Sequence, residues 1–105
     1  MELTKDADKM ICIIYHDFLS RRKDRIPKSE ASRFSDDYFQ TQKAFKDWLA
    51  DDLEVTLLEL ARSGLTKIYI GGNFDLTDSG VYYMENRFKN GLLEVTDFIS
   101  KFKPW

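Results

Sequence analysis

The sequence has 105 residues, of which 43% are hydrophobic and 32% charged, with a net charge of -2 at pH 7. These values are typical of one globular domain, here residues 1–105, and exclude a protein that coats nucleic acid by bulk positive charge. No apolar run reaches the ~20 residues of a membrane span, and the first residues lack a signal-peptide pattern. We therefore expect a cytoplasmic protein without a membrane partner.

The first half of the chain is predicted to consist of helices separated by short breaks. A first helix runs from about Thr4 to Arg22, with Met10, Ile11, Ile14, Tyr15, Phe18 and Leu19 on one face. Pro27 disfavours helix at Ile26, which is expected to make a one-residue strand contact. A short second helix is then capped by Ser29 and extends through Phe34.

The polar segment 35–41 is predicted to be a loop or one irregular turn with Tyr38 and Phe39 facing inward. A third helix begins near Lys43 or Asp51 and ends at Gly64, a residue that often terminates helices. Trp48 lies either inside this helix or against its start.

A short antiparallel hairpin follows the third helix. The segment 65–70 has the alternating pattern of a strand and is rich in β-branched and aromatic residues. Gly71-Gly72-Asn73 supplies a tight turn, and residues 74–76 form the second strand.

Thr77 or Asp78 then caps a last helix with a near seven-residue apolar stripe of Val81, Met84, Phe88, Val95, Phe98 and Phe102. The pattern favours one helix through Lys101, although Gly91 would also permit a kink or two helices.

Residues suited to catalysis or metal binding are scarce. Cys12 is the only cysteine and lies in an apolar run, which predicts a buried, reduced thiol. His16 is the only histidine, and Asp17 is expected to lie beside it rather than face it. The acidic pairs at 36–37 and 51–52 lack the spacing of a calcium loop. We predict no catalytic residues, no metal site, no cofactor and no enzymatic activity.

The order helix, brief extended link, short helix, helix, hairpin resembles a winged helix-turn-helix over residues 4–80. Its most specific part is the run 61–65 followed by 74–80, which resembles the passage "helix, Gly-Leu, strand, turn, strand, Leu-Thr-x-x-Gly, helix" of MarR-like and PadR-like bacterial regulators. Size, element order and the run 77–86 are also similar to small YjcQ-like winged-helix proteins of prophages and other mobile elements.

The resemblance implies an α+β fold: a winged helix-turn-helix with a short two-stranded wing hairpin and a long C-terminal helix. Its core motif would cover residues 4–77, and residues 78–103 would form a helical extension. It also implies a bacterial or phage origin, double-stranded DNA as a partner, a role in transcription regulation and a dimer.

The distribution of charge leaves the choice of partner open. Residues 21–33 have six basic against two acidic side chains, and we predict phosphate contacts from Arg21, Arg22, Lys23, Arg25, Lys28 and Arg33, extended by Lys43 and Lys46. The alternative for this stretch is a solvated basic surface that aids solubility. The helix expected to enter the major groove is acidic, which opposes DNA binding there. An alternative is therefore a protein-interaction module that docks a protein partner through Asp51, Asp52, Glu54 and Glu59. One example would be a phage inhibitor of a host nuclease or defence complex.

The apolar stripe of the last helix is longer than the core of one small domain requires. We predict that Phe88, Val95, Phe98 and Phe102 contact another chain, for example in a homodimer. The alternative is that this helix folds back onto the first helix, and the aromatic residues Phe102 and Trp105 favour some docking.

Overall fold

The structure, a computed structural model, describes residues 1–102. Within that range it is an α+β fold of six helices, one 3₁₀ turn and a three-stranded antiparallel sheet. The elements in chain order are α1 (Lys5–Lys23), α2 (Lys28–Ala31), β1 (Arg33–Phe34), α3 (Tyr38–Thr41), the 3₁₀ turn (Lys43–Phe45), α4 (Ala50–Arg62), β2 (Thr66–Ile68), β3 (Phe74–Leu76), α5 (Asp78–Arg87) and α6 (Leu92–Ile99). None of these helices is both long and apolar enough to cross a membrane.

Helix α1 is the centre of the fold and contacts α2, α4, α5 and α6. The Thr4 hydroxyl oxygen accepts a hydrogen bond from the Ala7 amide at 3.2 Å, which satisfies one of the unpaired donors of the first turn. The predicted apolar face is buried, including Met10, Ile11 and Ile14. The predicted first helix is confirmed.

The sheet has the order β1-β3-β2, so the predicted hairpin β2–β3 is confirmed and a third strand lies beside it. Phe34, Phe74 and Ile68 form one row across the three strands, and the Phe34 and Phe74 rings stack with centroids 5.1 Å apart. The strand contact predicted at Ile26 is wrong: the strand beside β3 is formed by residues 33–34, after the short helix α2 and not before it. The second helix is shorter than predicted, running from Lys28 to Ala31, and the predicted cap is wrong: Ser29 lies inside the helix, whose N-cap is Pro27.

The segment predicted as a loop or one irregular turn at 35–41 contains the single turn α3. Tyr38 is buried and Phe39 is partly buried against the core, which confirms their inward orientation. Helix α4 begins at Ala50, and Trp48 lies outside it with its ring 5.3 Å from that of Phe45.

The long C-terminal helix predicted from the apolar stripe is wrong, because residues 78–99 form two helices. Gly91 separates α5 from α6 and has φ +66°, a conformation that glycine adopts without the steric cost borne by other residues. Helix α6 packs back on α1. Residues 103–105, which include Trp105 and the end of the predicted extension, lie outside the described residues.

Candidate functional site

A groove with an apolar floor lies between α3, α4 and the turn after β2. We call it the α4 groove, and its volume is about 320 Å³. Its apolar lining consists of Phe39, Leu53, Leu57, Leu58 and Ile68, and its remaining lining residues are Asp36, Gln40, Ala50, Glu54 and Gly72.

Helix α4 forms one wall of the groove because its apolar surface is wider than one core-facing stripe. Leu57 and Leu60 are buried, whereas the neighbouring Leu58 is 41% exposed and borders the groove. Successive helix positions are rotated by about 100°, so Leu57 and Leu58 cannot both face the same core. Val55 on the same helix is 52% exposed, and Leu49 at its start is 70% exposed.

The opposite wall is held in place by the hairpin turn. The Asn73 side-chain oxygen accepts a hydrogen bond from the Asp36 amide at 2.9 Å. Gly72 has φ +99°, and a Cβ atom there would lie 3.1 Å from the Asp36 Cβ atom. The absence of a side chain at Gly72 thus lets the turn approach the segment before α3, and Gly72 and Asp36 both line the groove.

The groove is bordered by negative charge. Asp36 and Glu54 lie on opposite walls, and Asp51 and Asp52 lie in the first turn of α4. All four side chains belong to exposed residues, and none forms an ion pair with a basic side chain of residues 1–102. The groove therefore combines an apolar floor with uncompensated carboxylates.

Glu59 differs from the other predicted acidic interface residues because it has a structural partner. Its carboxylate accepts hydrogen bonds from the Thr4 amide at 3.0 Å and from the Thr4 hydroxyl at 2.7 Å. Glu59 thereby joins α4 to the start of α1.

Among the predicted phosphate-binding residues, Arg21 is committed to the fold. Its Nη1 atom donates to the Ala31 carbonyl at 3.2 Å and to the Arg33 carbonyl at 2.6 Å, and its guanidinium lies 4.2 Å from the centre of the Phe34 ring. These contacts occupy the Nη1 donors of the guanidinium and hold the side chain against the fold.

The other predicted phosphate-binding residues are exposed but belong to several elements. Arg22 and Lys23 end α1, Arg25 follows it with φ +68°, and Lys28 lies 3.5 Å from the exposed Asp78 carboxylate. Arg33 lies on β1, whereas Lys43 and Lys46 are at the 3₁₀ turn.

The predicted interface stripe at the C-terminal end is largely used by the chain itself. Phe88 and Val95 are buried, and Phe98 and Phe102 are partly buried against the core. The Arg87 guanidinium lies 4.9 Å from the Phe88 ring centre and 4.7 Å from the Phe98 ring centre, and it donates to both Asp8 carboxylate oxygens. This burial removes the reason for which a dimer through the stripe was predicted.

A polar cluster connects α1 to α3. Contrary to the prediction, Asp17 does face His16: the His16 Nδ1 atom is 3.2 Å from an Asp17 oxygen. The Asp17 carboxylate also accepts hydrogen bonds from the Tyr38 hydroxyl at 2.5 Å and from the side-chain amide of Gln42 at 2.6 Å. Burial alone would raise the pKa of Asp17, but hydrogen bonds from His16, Tyr38 and Gln42 outweigh it and lower that pKa.

The remaining reactive group is the Cys12 thiol, which is buried as predicted. Burial raises the pKa of Cys12 to about 12, so the nucleophilic thiolate is a minor form at neutral pH. Residues 1–102 contain no group of three His, Cys, Asp or Glu side chains that could hold a metal ion.

Comparisons with known proteins find no match. Neither a protein-family model, nor a curated protein, nor a solved structure matches this chain. The resemblance to winged-helix regulators therefore stays a prediction from the sequence.

Sequence reasoning identified the acidic side chains of α4 but not the groove beside them. The lining comes from segments that are more than 30 positions apart, from Asp36 to Gly72. One signal was present in the sequence: Val55 and Leu58 flank the buried Leu57, which makes α4 too apolar for a helix with one buried face. This excess predicts an apolar surface outside the core.

Proposed function

We propose that the chain is a protein-binding module built on a winged-helix scaffold, with the α4 groove as its binding surface. Support for the scaffold comes from the element order: apart from the single turn α2 and the 3₁₀ turn, α1, β1, α3, α4 and the hairpin β2–β3 follow the order helix, extended link, short helix, helix, hairpin. Thr77 also caps α5, as the Leu-Thr-x-x-Gly passage of winged-helix regulators requires, because its hydroxyl oxygen accepts a hydrogen bond from the Gly80 amide at 2.9 Å.

One observation favours a protein partner over DNA: the exposed surface of α4 carries carboxylates and apolar side chains. A helix in the major groove presents Arg, Lys, Asn or Gln to base edges and lies between phosphates. Asp51, Asp52 and Glu54 would be repelled by those phosphates, and Val55 and Leu58 would stay exposed beside them. The same side chains suit a protein interface, where apolar groups are buried within a polar rim.

Site-specific photocrosslinking tests this proposal. A photoreactive amino acid such as benzoylphenylalanine is placed at Leu58 in one variant and at Tyr82 in another, and each is irradiated in an extract of the source organism. Tyr82 is the matched control because it is a large aromatic residue on another helix, α5, and is 69% exposed.

We expect a discrete protein adduct from position 58 that is missing from position 82. Equal adducts from both positions would refute a specific surface at α4. A nucleic-acid adduct from position 58 would refute the choice of a protein partner.

DNA binding is a second candidate function, favoured by the exposed side chains of Arg22, Lys23, Arg25 and Lys28. If these residues bind phosphates, the affinity for mixed double-stranded DNA will fall steeply with salt in an anisotropy titration. The variant Arg22→Glu/Lys23→Glu should then lose binding, while Lys5→Glu/Lys89→Glu, with the same change in charge at exposed positions, should lose much less. Equal losses in both variants, or no binding at low salt, would rule this candidate out.

A phage inhibitor of a host nuclease would be one form of the proposed protein-binding module. In that form the carboxylates of α4 would occupy a positively charged groove of the nuclease.

A further inference from the structure

We infer that the occupant of the α4 groove is a segment of a partner protein in which apolar side chains are flanked by Lys or Arg. This inference rests on the function proposed above. The inference joins two properties of the groove, its apolar floor and the carboxylates on its walls.

The floor requires apolar side chains. Leu53, Leu57, Leu58, Phe39 and Ile68 present carbon atoms to the space, and their desolvation by another apolar group is favourable. A volume of about 320 Å³ lies at the small end of ligand-binding pockets. It therefore admits a few side chains of a segment rather than a whole structural element.

The walls require positive charge beside those apolar side chains. Asp36 on one wall and Glu54 on the other would flank an inserted segment, and Asp51 and Asp52 extend the negative region along α4. Because no basic side chain of residues 1–102 pairs with these four carboxylates, their charge is available to a partner. An acidic segment would be repelled by the same groups.

The basic stretch at 22–28 of a second copy of this chain offers a poorer occupant. Its exposed basic residues at 22–28 supply the charge, but Ile26, the apolar residue among them, is partly buried against the chain's own core. The basic stretch thus lacks an exposed apolar anchor for the groove.

Selection from a displayed library of random peptides, about a dozen residues long, tests the inference with the intact protein. Enriched peptides are synthesised, and their affinities are measured by anisotropy for the wild type and for variants. Leu58→Ser removes one side chain of the floor, and Asp36→Asn/Glu54→Gln removes the charge of both walls without changing their shape. Tyr82→Ser and Glu85→Gln on α5 are the matched controls, and unchanged urea midpoints confirm that each variant is folded.

We expect enriched peptides to combine Leu, Ile, Phe or Met with Lys or Arg. Their affinity should fall about tenfold or more in Leu58→Ser, as at an interface hot spot. It should fall severalfold in the charge-neutralised variant and with a rise in salt from about 50 to about 300 mM, since exposed charges are screened. The α5 controls should bind as the wild type does.

The other outcomes separate this inference from the proposed function. Neutral or acidic peptides whose binding depends on Leu58 would overturn the inference and leave the protein-binding function intact. Enriched peptides that are indifferent to Leu58→Ser, or no enrichment at all, would overturn both. A concentration-dependent dimer in light scattering that dissociates in Leu58→Ser would make a second copy the occupant and overturn the inference.

Discussion

Replacing Gly80 with alanine should destabilise the fold, although alanine favours helix and Gly80 lies in the first turn of α5. A Cβ atom built at Gly80 would lie 2.4 Å from the Leu65 carbonyl oxygen and 2.8 Å from a Leu76 methyl carbon. The Leu65 oxygen cannot withdraw freely, because it accepts a hydrogen bond from the Thr77 amide at 3.1 Å. The new methyl group would therefore push against the junction of the hairpin and α5.

Two opposing contributions determine the magnitude. Alanine is better than glycine inside a helix by about 1 kcal/mol. Overpacking of a filled site costs about 1–3 kcal/mol, and displacement of the Leu65 carbonyl would weaken a hydrogen bond worth about 1 kcal/mol. The free energy of unfolding should consequently fall by about 1–3 kcal/mol, and the melting temperature by roughly 5–15 °C for a chain of this size.

Urea unfolding followed by far-UV circular dichroism measures this change as a lower midpoint with an unchanged slope. Ser79→Ala is the matched control, because Ser79 is exposed on the preceding position of the same helix and should change stability by less than about 0.5 kcal/mol. A Gly80→Ala variant as stable as the wild type, or more stable, would show that the close approach of Leu65 does not require glycine.

Three further predictions concern buried or partly buried polar groups. The Cys12 thiol should resist a disulfide reagent at pH 8 and react only after denaturation, since burial raises its pKa to about 12; rapid labelling of the native protein would contradict this. Asp17→Asn should lower stability at pH 7 by about 1–2 kcal/mol. Because the folded-state pKa of Asp17 is lowered, its contribution is present above the ordinary carboxyl pKa and is lost as the pH falls through the folded value. The difference between wild type and variant in urea unfolding should therefore shrink from pH 7 to about pH 3, and a constant difference would refute the assignment. Arg87→Ala should lower the free energy of unfolding by about 1–3 kcal/mol, measured by thermal unfolding. Arg87→Lys should restore only part of this loss, because lysine cannot donate to both Asp8 oxygens as the planar guanidinium does. Full restoration by lysine would mean that charge alone matters.

The parts of the fold that the sequence predicts are those encoded by neighbouring residues. The apolar face of α1, the Thr4 and Thr77 caps and the turn at 71–73 each depend on a short pattern with a local physical cause. The break at Gly91 was an open alternative, since a glycine in an apolar stripe fits a kink, a helix end or a tolerated interior position.

The parts that sequence reasoning missed depend on contacts between distant residues. Strand β1 is two residues long, too short for an alternating pattern, and it exists because Phe34 and Arg33 pair with β3. The committed role of Arg21 could not be distinguished in the sequence from that of the exposed Arg22 beside it. The α4 groove likewise requires α3, α4 and the hairpin to be assembled first.

The contacts of Arg21 also affect how copies of the protein meet one another at high concentration. The Leu76 amide donates to the Ser32 carbonyl, so the alternating pattern of an antiparallel pair directs the Arg33 carbonyl away from β3, toward the outer edge of the sheet. An uncovered edge carbonyl is a template for adding a strand from another molecule, which leads to aggregation. The Arg21 guanidinium donates a hydrogen bond to this carbonyl and places a positive charge at the edge. This contact opposes edge-to-edge assembly of the sheets on the β1 side.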